Sequence, residues 1–271
     1  AAGTLFAHEA DAVTGSAGVM AVVLAQTVAG STALLFLTPL WHEVKHGFFT
    51  LGGVVVAVLA ISAWWSAHVG VASGSEPGRW AEGLAAVTAV LAVVWAAAML
   101  SKHPTPARAA GFLTLCVSSV TLVAFAGTAR QGQGLALFQL LAGAAFLGAV
   151  LDGLLLGHWY LTDRGLPRGP INRSTAILAG AVAVEAAAVV TAGFGGVGSS
   201  TQFNPLLTVG ALAPWIALGM VGTTAFIAVM VWLTLRGDRA SAVQSATGFF
   251  YLAVVTAFTA EVAVKVRFLP G

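Results

Sequence analysis

Residues 134–161 read GLALFQLLAGAAFLGAVLDGLLLGHWYL. Asp152 is the only formal charge in these 28 residues. About 20 apolar residues in a helix span the roughly 30 Å hydrocarbon core of a bilayer. A helix also pairs its own backbone polar groups, as any segment in lipid must. This stretch therefore reads as a transmembrane helix.

The same reading extends outward to seven more stretches, giving spans at 17–38, 48–70, 80–100, 109–129, 134–161, 174–194, 206–235 and 241–267. Charged residues make up 8% of the chain, against about 25% in a soluble domain, and the mean hydropathy is +0.92. The expected fold class is an all-α integral membrane protein, a polytopic bundle of about eight transmembrane helices that forms one domain over 1–271. The spans leave no room for a soluble domain. With 32 glycines and many alanines, the helices are expected to associate through close backbone approach.

Loop charges set an expected orientation. The breaks after spans one, three, five and seven carry Lys45, Lys102, Arg108, Arg164, Arg168, Arg173, Arg236 and Arg239, eight basic residues in all, while Arg79, Arg130, Lys265 and Arg267 fall on the other side. The positive-inside rule then places both termini outside the cytoplasm, as in a bacterial inner membrane. Trp41, Trp64, Trp65, Trp80, Trp159 and Trp232 fall near span ends, as in aromatic belts. The lipid bilayer and other membrane subunits are the expected partners. A net charge of +2 spread over short loops does not suggest nucleic acid. Cys116 is alone, which leaves out a disulfide framework and a cysteine metal site. Residues 1–13 carry Glu9 and Asp11 but no Lys or Arg, unlike the basic start of a signal peptide, and the missing initiator Met suggests a processed start.

Several local features bear on the packing. Pro214, placed inside span seven, is expected to kink it. Gly193–Gly198 matches GxGxxG literally but follows a membrane helix, so it reads as a loop and not as a dinucleotide site. Gly153 and Gly157 form a GxxxG suited to a close helix contact. No long internal repeat stands out.

The polar residues inside spans carry the functional expectations. Glu185 sits among alanines and valines of span six, and a carboxyl there is costly unless it is protonated or paired. It reads as a proton or ion site, with Gln26, Thr27, Ser118, Ser119, Thr223, Thr224 and Thr256 as candidate partners at its depth. Asp152, His158 and Tyr160 in span five and Gln244, Thr247 and Tyr251 in span eight would make a polar pocket near the cytoplasmic face if the two helices touch. That pocket suits a quinone, whose carbonyl needs a His or Tyr donor and a carboxylate to manage the proton, or the edge of a haem b. By depth, His158 would pair with His42 or His46 as haem ligands. Glu261 and Lys265, four apart, read as an ordinary ion pair near the outer interface.

His42-Glu43-Val44-Lys45-His46 is an HExxH motif, which on a helix sets two imidazoles on one face with the Glu beside a metal-bound water. Together with Leu151-Asp152-Gly153, it resembles the site-2 family of intramembrane zinc proteases. The resemblance implies His42, His46 and Asp152 as zinc ligands and Glu43 as general base. It rests on these eight residues, and the motif lies at the break between spans one and two.

Three functions follow as expectations. The first is a multi-spanning subunit of a redox or energy-converting, respiratory-type assembly with a quinone- or haem-contacting pocket. The second is the intramembrane zinc metallopeptidase. The third is a transporter or channel that uses Glu185.

Overall fold

The computed structural model describes residues 13–41, 43–71, 75–101, 104–129, 132–163, 165–192, 212–237 and 241–266. These form eight helices, α1 Gly15–Leu37, α2 His46–Gly70, α3 Glu76–Leu100, α4 Pro104–Ala126, α5 Gln133–Thr162, α6 Gly169–Thr191, α7 Ala213–Leu235 and α8 Ser241–Lys265, with a 3-10 turn at Thr38–Trp41. All eight helices are long and apolar enough to cross a membrane, and the described residues contain no β-strand beyond an isolated Val13–Val71 bridge.

Helix starts follow local chemistry. The Ser75 side chain accepts a hydrogen bond from the Gly78 amide and caps α3. Pro77, Pro170 and Pro214 lie in the first turns of α3, α6 and α7. A proline costs nothing there, because the first-turn amides have no partner within the helix. Pro214 therefore opens α7, which corrects the expectation that it kinks span seven from within. Residues 193–211, which include Pro205 and the GxGxxG run, lie outside the described residues.

Neighbour relations divide the bundle into two rings of four. Helix α1 packs on α2, α2 on α3, α3 on α4, and α4 back on α1; α5, α6, α7 and α8 close a second ring in the same order. The rings join chiefly where α1 meets α5, and these two are the most enclosed helices of the molecule. There the backbones almost touch. A Cβ on Gly30 would stand 1.8 Å from the Ala144 carbonyl oxygen, and one on Gly148 would stand 2.5 Å from the Gly30 carbonyl carbon. Gly30 and Gly148 occupy the same position counted from the starts of α1 and α5. Corresponding hydroxyl pairs join Thr88 of α3 to Thr121 of α4 at 3.0 Å and Thr224 of α7 to Thr256 of α8 at 2.7 Å. The molecule thus has a two-fold plan that no sequence repeat announces.

The loops after α1, α3, α5 and α7 share one face, hereafter the basic face, and are tied together there. Lys45 pairs with Asp163 at 2.7 Å and Glu43 with Arg173 at 3.1 Å. Arg168 donates to the Gly237 carbonyl, and His46 Nε2 lies 3.0 Å from the Met99 carbonyl oxygen.

Candidate functional site

The deepest concentration of charge joins α6 and α8. Glu185, Glu261 and Lys265 are 1%, 0% and 0% exposed. Lys265 Nζ lies 3.2 Å from Glu261 Oε2, one helical turn away, and donates to the Gln139 carbonyl of α5 at 3.4 Å. The Glu185 carboxyl of α6 lies close enough to Glu261 and Lys265 to interact with both electrostatically. Gln26 of α1 closes the cluster, with its Nε2 donating to the Leu140 carbonyl at 3.0 Å. Gly143 makes room for this convergence, since a Cβ there would stand 2.0 Å from Gln26 Nε2 and 2.5 Å from Glu261 Oε2. Among the described residues no hydrogen-bond partner reaches Gln26 Oε1, Glu185 Oε2 or Glu261 Oε1. A second carboxyl therefore lies beside an ion pair that has one ammonium, in a place closed to solvent, with acceptor atoms to spare.

Sequence reasoning singled out Glu185 and included Gln26 among its candidate neighbours. It set Glu261 and Lys265 aside as an interfacial pair. The pair exists, but it lies inside the bundle. A second charge one turn from the first, within an apolar helix, was the available signal.

The residues expected to form a pocket are distributed over several places. Helices α5 and α8 do touch, but the seam is filled, with Gly153 against Phe250 and Gly157 against Thr247. Thr247 donates its hydroxyl to the Val243 carbonyl of its own helix. Asp152 is buried on the other side, with Oδ2 3.3 Å from Ser174 Oγ of α6. Tyr160 donates to the Pro167 carbonyl in the α5–α6 loop. Gln244 is exposed, and His158 and Tyr251 meet at the surface, 3.5 Å apart. The contact between α5 and α8 does not gather these six side chains into one cavity.

The HExxH residues also diverge. Helix α2 begins only at His46, so residues 43–45 precede it. His42 lies outside the described residues. Glu43 pairs with Arg173 of α6, whereas His46 turns to the end of α3. Asp152 is engaged with Ser174. Among the described residues no group of three His, Cys, Asp or Glu side chains is placed to hold a metal ion. For haem, His46 faces α3 and His158 faces α8, so they do not oppose each other.

Comparison with protein-family models, curated proteins and solved structures finds no match.

Proposed function

We propose that this chain is a proton-translocating membrane protein, a subunit of an energy-converting assembly or a proton-coupled carrier, with Glu185, Glu261 and Lys265 as its proton-loading site. One observation carries the proposal: two fully enclosed carboxyls face each other beside a single lysine. Burying a charge in a bilayer is costly, and a matched pair is the least costly way to do it. Lys265 balances one carboxylate, so the second carboxyl is neutral and holds a proton that belongs to the pair. Passing that proton from Glu185 to Glu261 leaves Glu185 ionised and moves the Lys265 partnership with it. Lys265 already holds the position of a cation, which favours a proton over a metal ion as the transported species.

Asp152 with Ser174 is a second enclosed carboxyl along the α5–α6 seam, toward the basic face. Ser174 and Glu185 are eleven residues apart on α6, about 16 Å along its axis, which suits successive stations on one route. No quinone, haem or zinc is needed for this proton transfer, and among the described residues the side chains expected to hold them lie apart. With Lys265 inside the bundle, the loops opposite the basic face keep Arg79, Arg130 and Arg267 against eight basic residues. That asymmetry supports a cytoplasmic basic face and both termini outside, as in a bacterial inner membrane, with lipid and other membrane subunits as partners.

The test is proton flux in proteoliposomes under an imposed potassium diffusion potential. Wild-type protein should acidify or alkalise the lumen according to the sign of the potential. Glu185→Gln and Glu261→Gln should each slow the flux on the order of a hundredfold, the scale of a lost positioned proton-transfer group. No flux from wild-type protein, or full flux from both variants, overturns the proposal.

A further inference from the structure

A long cleft runs between α6 and α7 on the outer surface of the second ring. Its volume is about 1130 Å³, at or above the upper end of the roughly 300–1,000 Å³ typical of small-molecule sites. The lining is asymmetric. Val221, Ala183 and Gly222 form apolar floor and walls along most of its length, while Asn172, Trp232 and Arg236 gather at the basic-face end. On α6 the cleft extends from Asn172 to Ala186, fourteen residues or about 21 Å of helix, which is long enough for an extended hydrocarbon chain. The cleft stays open on its α6 side because Ala176, Ala179, Ala183 and Ala186 line it, where neighbouring lipid-facing positions carry larger side chains such as Val184 and Val190.

The charged end points to the class of ligand. Arg236 holds its guanidinium over the Trp232 ring, 3.5 Å from the centroid, a cation–π contact that fixes the charge at this end of the cleft. Arg168 reaches across to the Gly237 carbonyl beside it. An apolar trough that ends at a guanidinium held on Trp232, with Asn172 lining the same end, is complementary to an amphiphile with hydrocarbon chains and an anionic phosphate head.

The geometry points to a specific binding site for an anionic phospholipid, its chains along the α6–α7 cleft and its phosphate at Arg236 and Asn172. This site is independent of the proton-loading cluster, which faces the interior.

The experiment is native mass spectrometry of the chain after exchange from mixed vesicles of phosphatidylglycerol and phosphatidylcholine, with helicity of each variant checked by circular dichroism. The expected result is one retained phosphatidylglycerol per chain in preference to phosphatidylcholine. Ala183→Trp, which fills the cleft from an exposed position, should abolish retention. Val184→Trp, on the adjacent lipid-facing surface, should leave it intact. Arg236→Gln should lower it about fivefold, the contribution of one basic residue toward anionic lipid. Equal retention of the two lipids, equal loss in the Ala183 and Val184 variants, or retention unaffected by Ala183→Trp would each overturn the site.

Discussion

Lys265 is the residue on which the interior electrostatics turn. It is fully enclosed, so removing it leaves Glu261 and Glu185 facing each other without a counter-charge. Lys265→Met should therefore destabilise the protein by about 3–5 kcal/mol, the cost of breaking a buried pair from one side. Adding Glu261→Gln should recover most of that loss. Thermal unfolding of both variants in detergent checks the pair, and equal losses would mean that the charges do not meet. At the surface the sign of a pH effect can be worked out for Asp163, just past α5. The Lys45 ammonium hydrogen-bonds its carboxylate and holds it below the usual carboxylate range. The tie is fully present above the unfolded aspartate value of about 4 and is lost as pH falls through the lower folded value. Lys45 is largely exposed, so the effect is small. Unfolding followed from neutral to strongly acid pH should show an acid-side loss that Lys45→Met flattens. The cluster was only half legible in the sequence for a reason at this scale. Glu185 stands out because nothing polar surrounds it, whereas Glu261 and Lys265 lie near the end of their span, where charge is ordinary. Only the packing of α8 against α5 and α1 turns that span end inward.

Among the helices, existence was legible and mutual placement was not. Long apolar runs fix where each helix lies, because lipid leaves the backbone no other way to pair. The start of α7 was misplaced because an apolar run continues upstream of Pro214. Composition alone does not distinguish a proline that bends a helix from one that begins it. The HExxH motif shows a related dependence on where a helix begins. Its meaning depends on a helix through all five residues, and α2 starts at the last of them. The seam between α1 and α5 is where the two rings are most sensitive. The atoms facing Gly30 are backbone atoms of α5, which cannot rotate away as a side chain would. Gly30→Ala and Gly148→Ala should each cost about 1–3 kcal/mol by forcing the helices apart. Gly83→Ala is the control, since an added Cβ there meets nothing within 4 Å. Comparable losses at all three positions, read from denaturation in detergent, would contradict the close approach.

The whole molecule is a near-symmetric frame that holds an asymmetric interior. Gly30 matches Gly148 and the Thr88–Thr121 pair matches Thr224–Thr256, yet Glu185, Glu261 and Lys265 all belong to the second ring. The first ring supplies Gln26 across the seam. On this reading the first ring is the support and the second carries the chemistry, with a lipid cleft on its outer surface. The central claim is that two carboxyls share one proton because only one of them has a counter-charge. Infrared difference spectroscopy tests it most directly. Wild-type protein at neutral pH should show the carbonyl band of a protonated carboxylic acid, shifted in heavy water. In an Asp152→Asn background, which removes the other enclosed carboxyl, either Glu185→Gln or Glu261→Gln should remove that band even though one glutamate remains, since that glutamate then pairs with Lys265 as a carboxylate. A band that persists unchanged in both variants would contradict the shared proton, and with it the account of the site.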